Sequence, residues 1–435
     1  MHPETSHQQQ PPVPRIIPRR EHNLSRKNID PDALKVLYRL HRHGFKAYLV
    51  GGSVRDLLLG RRPKDFDVGT DARPNQVYKL FRNSRIIGRR FRLVQVFFRG
   101  GKIIEVSTFR RAADPDSDEV LGSNNTFGTA AEDAMRRDLT INALFYDIAD
   151  FSIVDYVGGM EDLQNQLVRA VGDADVRFHR DPVRVLRAVR HAARIGFTLT
   201  RDTRAAVNEH RREFSLCPTS RIRDELMRDL QGGSAASWLD LAHRTKVLYS
   251  LLPTLEDYYG RGPGAAKRRG QVIELMAKVD QAVAQGQPYP DAVVVAALFW
   301  PALVHKAKGL ELPPGRAGRV TWGGFVRENL PALARPVAFA KRVMERACQT
   351  SALMAPMLQE SPGDRLPKKI TDKGYFPDAC LLGDLLGLNL RAMAGHGQAK
   401  TKPGGAKRRR RRRRPNRRRR RRPPAKSNQA NSTAS

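Results

Sequence analysis

Hydrophobic positions change their spacing twice along this chain of 435 residues. In "DPDALKVLYRL" (30–40), Leu34, Leu37, Tyr38 and Leu40 recur at helical spacing. Asp30 can accept hydrogen bonds from first-turn amides and Pro31 suits that turn, so a helix is predicted here. From Ala47 to about Asp155 the spacing shortens to two. "AYLV", "DFDV", "LVQVFF", "KIIEVSTF", "NALFYDIA" and "FSIVDYV" read as strands, interleaved with the helices "VRDLLLG" and "NQVYKLFRN". Gly100 and Gly101, between two of these runs, predict a hairpin turn. After "VGGMEDL" the strand signals stop. The chain then reads as helical to about residue 395, with breaks at "GRGPGAAKRRG" (260–270) and "LELPPGRAGR" (310–319). The longest apolar run, "AVVVAALFWPALV" (292–304), is too short to span a bilayer and contains Pro301, so it is expected to be a buried helix.

This pattern predicts an α+β protein: a small mixed α/β head, a long all-helical neck and body, and a low-complexity tail. The expected divisions are a disordered, Pro- and Gln-rich segment at 1–24, the head at 25–155, the neck at 156–235, the body at 236–395 and a disordered basic tail at 396–435.

Charge changes the picture next. The formal net charge is +34, and the segment 400–426 carries 17 of those charges with no acid. A basic body with a basic tail favours a polyanionic partner, nucleic acid before membrane. A merely solubilising tail is the plainer reading. Three cysteines (Cys217, Cys348, Cys380), odd in number and far apart, argue against a disulfide framework or a Cys-ligated zinc site and suit a reducing cytoplasm.

The candidate chemistry lies in "YLVGGSVRDLLLGRRPKDFDVG" (48–69). Glycines at 51 and 52 before a helix let backbone approach a phosphate, with Ser53 and Arg55 adding a hydroxyl and a cation; alone, the pair is a tight turn as readily. Asp65 and Asp67 flank Phe66. On a strand their carboxylates would share one face and repel unless a cation lay between them, and oxygen ligands beside phosphates favour magnesium over zinc. The plainer alternative is a polar turn with two unrelated acids. Glu105, in "KIIEVSTF", is either a third ligand or an exposed sheet residue. In "RDPVRVLRAVRHAAR", Arg184, Arg187, His191 and Arg194 share one helical stripe, which reads as a solvated face or as a phosphate contact.

"LVGGSVRDLLLG…KDFDV", "EDAMRRDLTINAL" and "DPVRVLRAVRHAARIGF", in this order, together resemble the class II nucleotidyltransferases of the DNA polymerase β-like superfamily, which contain bacterial poly(A) polymerases and CCA-adding enzymes. The resemblance covers residues 25–235. It implies a template-independent transferase that extends RNA 3′ ends, with ATP as substrate and two Mg²⁺ ions as cofactor. Asp65 and Asp67 match the metal ligands, and Glu105 the acid that completes the catalytic set. Gly52, Ser53 and Arg55 match the triphosphate loop. Arg136, Arg137, Asp138 and Asn142 match the motif that contacts ribose and phosphates. Asp181 and Arg184 match the pair that reads the base edge, Arg180 standing where the family has Glu, and Arg187 joins the phosphate contacts. No role is assigned to Glu132 or Asp133.

Three features resemble the poly(A) polymerases more than the CCA-adding enzymes: the segment "IIGRRFRLVQVFF" (86–98), with Gln95 where a His is usual; the opening "IPRREHNLSRKNIDPDALKVLYRLHRHGF"; and the Arg-rich tail. The expected reaction is in-line attack of an RNA 3′-hydroxyl on the α-phosphate of ATP with release of pyrophosphate, a polyadenylation that promotes RNA decay. CCA addition to tRNA is the alternative, and an inactive RNA-binding adaptor a second. The expected partners are RNA 3′ ends and ATP, without membrane; the sequence itself names no RNA-decay protein.

Overall fold

The computed structural model describes residues 12–88, 92–111, 126–355 and 366–393. Eight strands, β1 (Arg15–Ile17), β2 (Ala47–Val50), β3 (Asp67–Thr70), β4 (Ser84–Ile87), β5 (Leu93–Phe97), β6 (Ile103–Thr108), β7 (Leu144–Asp147) and β8 (Ile153–Asp155), form one sheet. Their spatial order is β1-β8-β7-β2-β3-β6-β5-β4. Only β3 and β6 pair in parallel; every other neighbouring pair is antiparallel. The register places Val50 opposite Asp67 and Asp67 opposite Glu105, with Glu105 in turn opposite Gln95. Four residues on four adjacent strands therefore form a single row across the sheet.

Three helices follow the expected chemistry. α1 (Pro31–Arg42) starts where Asp30 accepts from the Asp32 and Ala33 amides, a cap that contributes about 1 kcal/mol. Its buried stripe is Ala33, Val36, Leu37 and Leu40. Leu34 and Tyr38, expected in that stripe with Leu37 and Leu40, are only half-buried, and Ala33 and Val36 take their place against the core. α2 (Gly52–Leu58) leaves the end of β2 directly, and α3 (Pro74–Leu80) follows β3. Gly100 and Gly101 both take positive φ in the short turn between β5 and β6.

α4 (Ala130–Met135) precedes β7 in the head, and the neck elements are α5 (Gly159–Gln164), α6 (Ala174–Arg180), α7 (Val183–Ile195), α8 (Arg201–His210) and α9 (Thr219–Gln231). Beyond them run α10 (Ala235–Arg244), α11 (Val247–Leu251), α12 (Ala265–Ala284), α13 (Asp291–Lys306), α14 (Gly315–Ala334) and α15 (Lys341–Ala352). The two foreseen breaks are shorter than expected: α12 already begins at Ala265 and α14 at Gly315, so the second half of each stretch is helical. α13 contains the long apolar run with residues 292–303 buried, including Pro301. Among the described residues no helix is long and apolar enough to cross a membrane.

The fold departs from the sequence reading in three places. Residues 12–24 are not structureless: β1 pairs with β8, and Ile17 and Leu24 are buried. The open edge of β8 offers backbone groups that need partners, and two apolar side chains suffice to seat the segment. Strands do not end with the head, since β9 (Leu167–Val168) and β10 (Thr198–Leu199) form a separate parallel pair within the neck. Two-residue strands leave no periodicity to read. β4 was also unforeseen, its residues being only partly buried or exposed. One hydrophobic cluster runs from Ile17 to Leu390, so the divisions expected at 155 and 235 fall within a continuous core. The basic tail at 396–435 lies outside the described residues, as do Arg89, Arg90 and Phe91 of the 86–98 segment.

Candidate active site

β2 ends at Val50 and the chain turns at Gly51, whose φ of +73° falls in the region that favours glycine. A Cβ here would also lie 2.9 Å from Arg137 Nη1. The backbone turn and the Arg137 guanidinium thus occupy the same small space. Because Val50 pairs with Asp67, this turn lies beside the first residue of β3. β3 begins at Asp67, so Asp65 belongs to the lead-in before it and not to the strand itself.

Asp67 reaches solvent at its tip, while the protein packed round it removes part of its hydration. Burial first, then the negative charges of Glu105 and Asp65, push its carboxyl up to about 6, against an opposing pull from Arg137. Three acids therefore act on one another at the end of β3. Their oxygens do not all come within 4.8 Å of one another. Glu105 is oriented by Gln95, whose Nε2 donates to Glu105 Oε1 at 2.9 Å. The cross-strand register makes this contact, which explains how an amide can serve at position 95.

The other expected residues form a connected network against this row. Arg137 donates through Nη1 to the Asn142 carbonyl at 3.1 Å, and its guanidinium lies 5.0 Å from the Phe145 ring centroid. Asn142 Oδ1 accepts from Arg55. Asp138 is paired with Arg184 at 2.9 Å and with Arg187. Asp181 Oδ2 accepts from Arg221 Nη2 at 2.9 Å, with Arg184 Nε 3.7 Å away. Asp181 Oδ1 is buried with no hydrogen-bond partner among the described residues.

Two expectations about the triphosphate loop change. Arg55 is only 1% exposed. It donates to Asp56 at 2.9 and 2.7 Å and to Asn142, and meets His191 Nδ1 at 3.2 Å. A guanidinium so enclosed ties α2 to the neck and does not face an open phosphate site. Ser53 is buried too, its hydroxyl donating to the Val50 carbonyl at 2.9 Å. Both residues hold the turn in place. The α7 stripe is likewise not a solvated face. Arg184 and Arg187 dock on Asp138, and Arg194 approaches Asp56 at 3.6 Å. Burial, then Arg55 and Arg187, hold His191 well below its ordinary value, so it is neutral.

Sequence reasoning missed two supports. Asp133, 5% exposed, accepts from Arg136 Nε at 3.0 Å, from Arg137 at 3.2 and 2.9 Å and from the Arg110 amide at 3.3 Å. Burial opposes its ionisation, but Arg137 and Arg136 together outweigh that and hold its pKa below the ordinary value. The i,i+3 and i,i+4 spacing on α4 was the available signal. Arg177 donates to the carbonyls of Met135, Arg136 and Arg137 at 2.9, 2.9 and 2.7 Å, clasping the end of α4 from α6. Burial, and then Arg184, push it down to about 10, which leaves it charged at neutral pH. No local pattern announces a side chain whose partners are distant carbonyls.

Residues 47–169 match a family model described as "Poly A polymerase head domain", and residues 196–259 one described as "Probable RNA and SrmB- binding site of polymerase A". The stretch from Asp181 to Arg187 falls between them. A poly(A) polymerase I of Salmonella typhi is 40% identical over 338 residues, covering 75% of this chain and 72% of the relative. A CCA-adding enzyme of Bacillus pumilus is 36% identical over 224 residues, covering 52% of this chain and 55% of the relative. Among solved structures, Bacillus stearothermophilus CCA-adding enzyme in complex with CTP aligns at a TM-score of 0.58 with 27% identity, covering 85% of this chain and 80% of that one. The chain belongs to the poly(A) polymerase family of nucleotidyltransferases.

Proposed function

We propose that this protein is a template-independent polynucleotide adenylyltransferase, transferring AMP from ATP to RNA 3′ ends with release of pyrophosphate. The observation that carries the reading is the row Val50, Asp67, Glu105, with Asp65 acting on Asp67 and the Gly51 turn closed over by Arg137. Long identity to a poly(A) polymerase I, against a shorter match to a CCA-adding enzyme, favours ATP as the repeated substrate.

Asp65, Asp67 and Glu105 supply an oxygen-only donor set whose mutual repulsion a hard divalent cation would relieve, and magnesium is the cation such a set suits. When bound, such ions would lower the pKa of the attacking hydroxyl and neutralise the triphosphate. Gln95 holds Glu105 in position for this. The partly exposed Arg136, Arg137, Arg184 and Arg187 would meet phosphates, and Gly51 and Gly52 allow close backbone approach. Asp138 keeps Arg184 and Arg187 aimed, and Asn142, Arg55 and Ser53 brace the turn. Asp181, whose Oδ2 lies near Arg184 and whose Oδ1 has no hydrogen-bond partner among the described residues, would read the adenine amino edge. The protein would work in the cytoplasm on RNAs destined for decay.

The test supplies ATP alone, and then CTP with ATP, to a trimmed tRNA and to an unstructured RNA in the presence of Mg²⁺. Long adenosine tracts on both RNAs are expected. Addition confined to tRNA and stopping after a few nucleotides would transfer the reading to CCA addition. Asp67→Asn should lower the rate about a thousandfold; an unchanged rate would remove Asp67 from the chemistry.

A further inference from the structure

Outside this site, one cluster of side chains among the described residues has the donor types and spacing of a metal centre. His179 at the end of α6, His210 at the end of α8 and Glu213 in the turn after it each present a ligand atom within 4.8 Å of the other two. His179 Nδ1 lies 3.2 Å from Glu213 Oε2 and 3.3 Å from Oε1, and His210 Nδ1 lies 3.1 Å from Oε1. Ligand atoms about 2.0–2.2 Å from a tetrahedral ion stand roughly 3.3–3.5 Å apart, so the Nδ1-to-carboxylate spacings are already near those of an occupied site.

A second observation points the same way. His210, buried, has its Nε2 2.8 Å from Asp175 Oδ1. With its proton on Nε2 toward Asp175, His210 would present an Nδ1 lone pair toward Glu213, the outer-shell arrangement usual for a ligating histidine. A lone pair and a carboxylate oxygen facing each other at 3.1 Å need a cation between them, either a metal ion or a second ring proton. His179 is largely exposed, its side chain 66% accessible, which leaves room for a water as fourth ligand.

We propose that His179, His210 and Glu213 bind one divalent ion of the zinc class, selected by two imidazoles and a carboxylate over the hard ions that suit the Asp67 site. The bound ion joins the C-terminal end of α6 to the 211–216 turn. Asp181 follows α6 immediately, so occupancy steadies the carboxylate proposed to read the base, without touching substrate.

The experiment titrates Co²⁺ and then Zn²⁺ into the full-length, tag-free chain carrying Asp67→Asn, which weakens divalent binding at the catalytic row. Expected are one equivalent of tetrahedral Co²⁺ by visible absorption, its displacement by Zn²⁺, and a higher Tm with Zn²⁺. Adding His179→Ala, on an exposed side chain, or Glu213→Gln should weaken binding at least tenfold and abolish the Tm rise. Equal Co²⁺ binding in the His179→Ala protein would overturn the proposal. So would absence of the tetrahedral spectrum in the parent, which would leave a doubly protonated His210 as the link between Asp175 and Glu213.

Discussion

Asp67 shows how much one carboxyl can report. It titrates near 6 in the fold against an ordinary 3.8, so the folded chain holds this proton more tightly than the unfolded one. Ionising Asp67 therefore costs stability; the cost is absent below the ordinary value and complete once the pH has risen past 6. With chelator present, Asp67→Asn should melt above the wild type at pH 7.5 and come level with it only below about pH 3. A difference of the same size at both pH values would contradict the charge crowding. Gln95 has a narrower task. Gln95→Ala removes the amide that orients Glu105 and should lower activity about tenfold with the melting curve unchanged, as its side chain sits on a partly exposed strand position. Activity equal to wild type would mean that Glu105 needs no such support. The acids and the glycine turn were legible in the sequence because their residue types and spacing are chemical in themselves. That Arg55 and Ser53 face inward was not, since neither side chain's neighbours are near it in the chain except Asp56 and Val50.

Helices and strands bring these residues together through a few ties. α4 ends in the Arg136–Arg137–Asp138 turn, and Asp133 holds that turn from within while Arg177 holds it from α6. α7 closes the other side by docking Arg184 and Arg187 on Asp138. The arginine motif is thus held from three directions before any nucleotide arrives. Asp133→Ala would remove the acid that Arg136 and Arg137 share and the bond that the Arg110 amide makes to it. It should cost about 2 kcal/mol of stability and also raise the KM for ATP, because Arg137 would no longer be held over Gly51. Loss of stability with an unchanged KM would limit Asp133 to a structural part. α1, α2 and the six inner strands of the head were foreseen from their periodicity and caps, while the edge strands β1 and β4 and the neck pair β9 and β10 were not. Short or half-exposed strands carry too few alternations, and only the partner strand shows that they exist.

For the whole molecule the charge balance matters most. Half of the net +34 lies in a 27-residue segment, Lys400–Lys426. Contacts to phosphates give affinity without sequence preference and weaken with salt by a slope of about 0.7 per contact on single strands. Removing residues 396–435 should leave the tailing of short oligonucleotides intact while shortening tracts made per binding event and flattening the salt dependence. A deletion protein with unchanged processivity and salt slope would reduce the tail to a solubilising appendage. While the parts of Asp65, Asp67 and the arginine motif came as what the family resemblance implies, what residue order alone settled was local: the helix capped by Asp30, the glycine turn and the surplus of positive charge. Each rests on spacing within about one turn or one strand, where backbone geometry is nearly invariant. Three-dimensional packing settled the rest. Cross-strand register set Glu105 beside Asp67 and gave Gln95 its task, burial turned Arg55 from a ligand contact into a brace, and the neck brought Arg177, Asp181 and the His179 cluster to their places. Those outcomes depend on residues tens of positions apart meeting in a low-dielectric interior, where a partner decides both the charge and the role of a side chain.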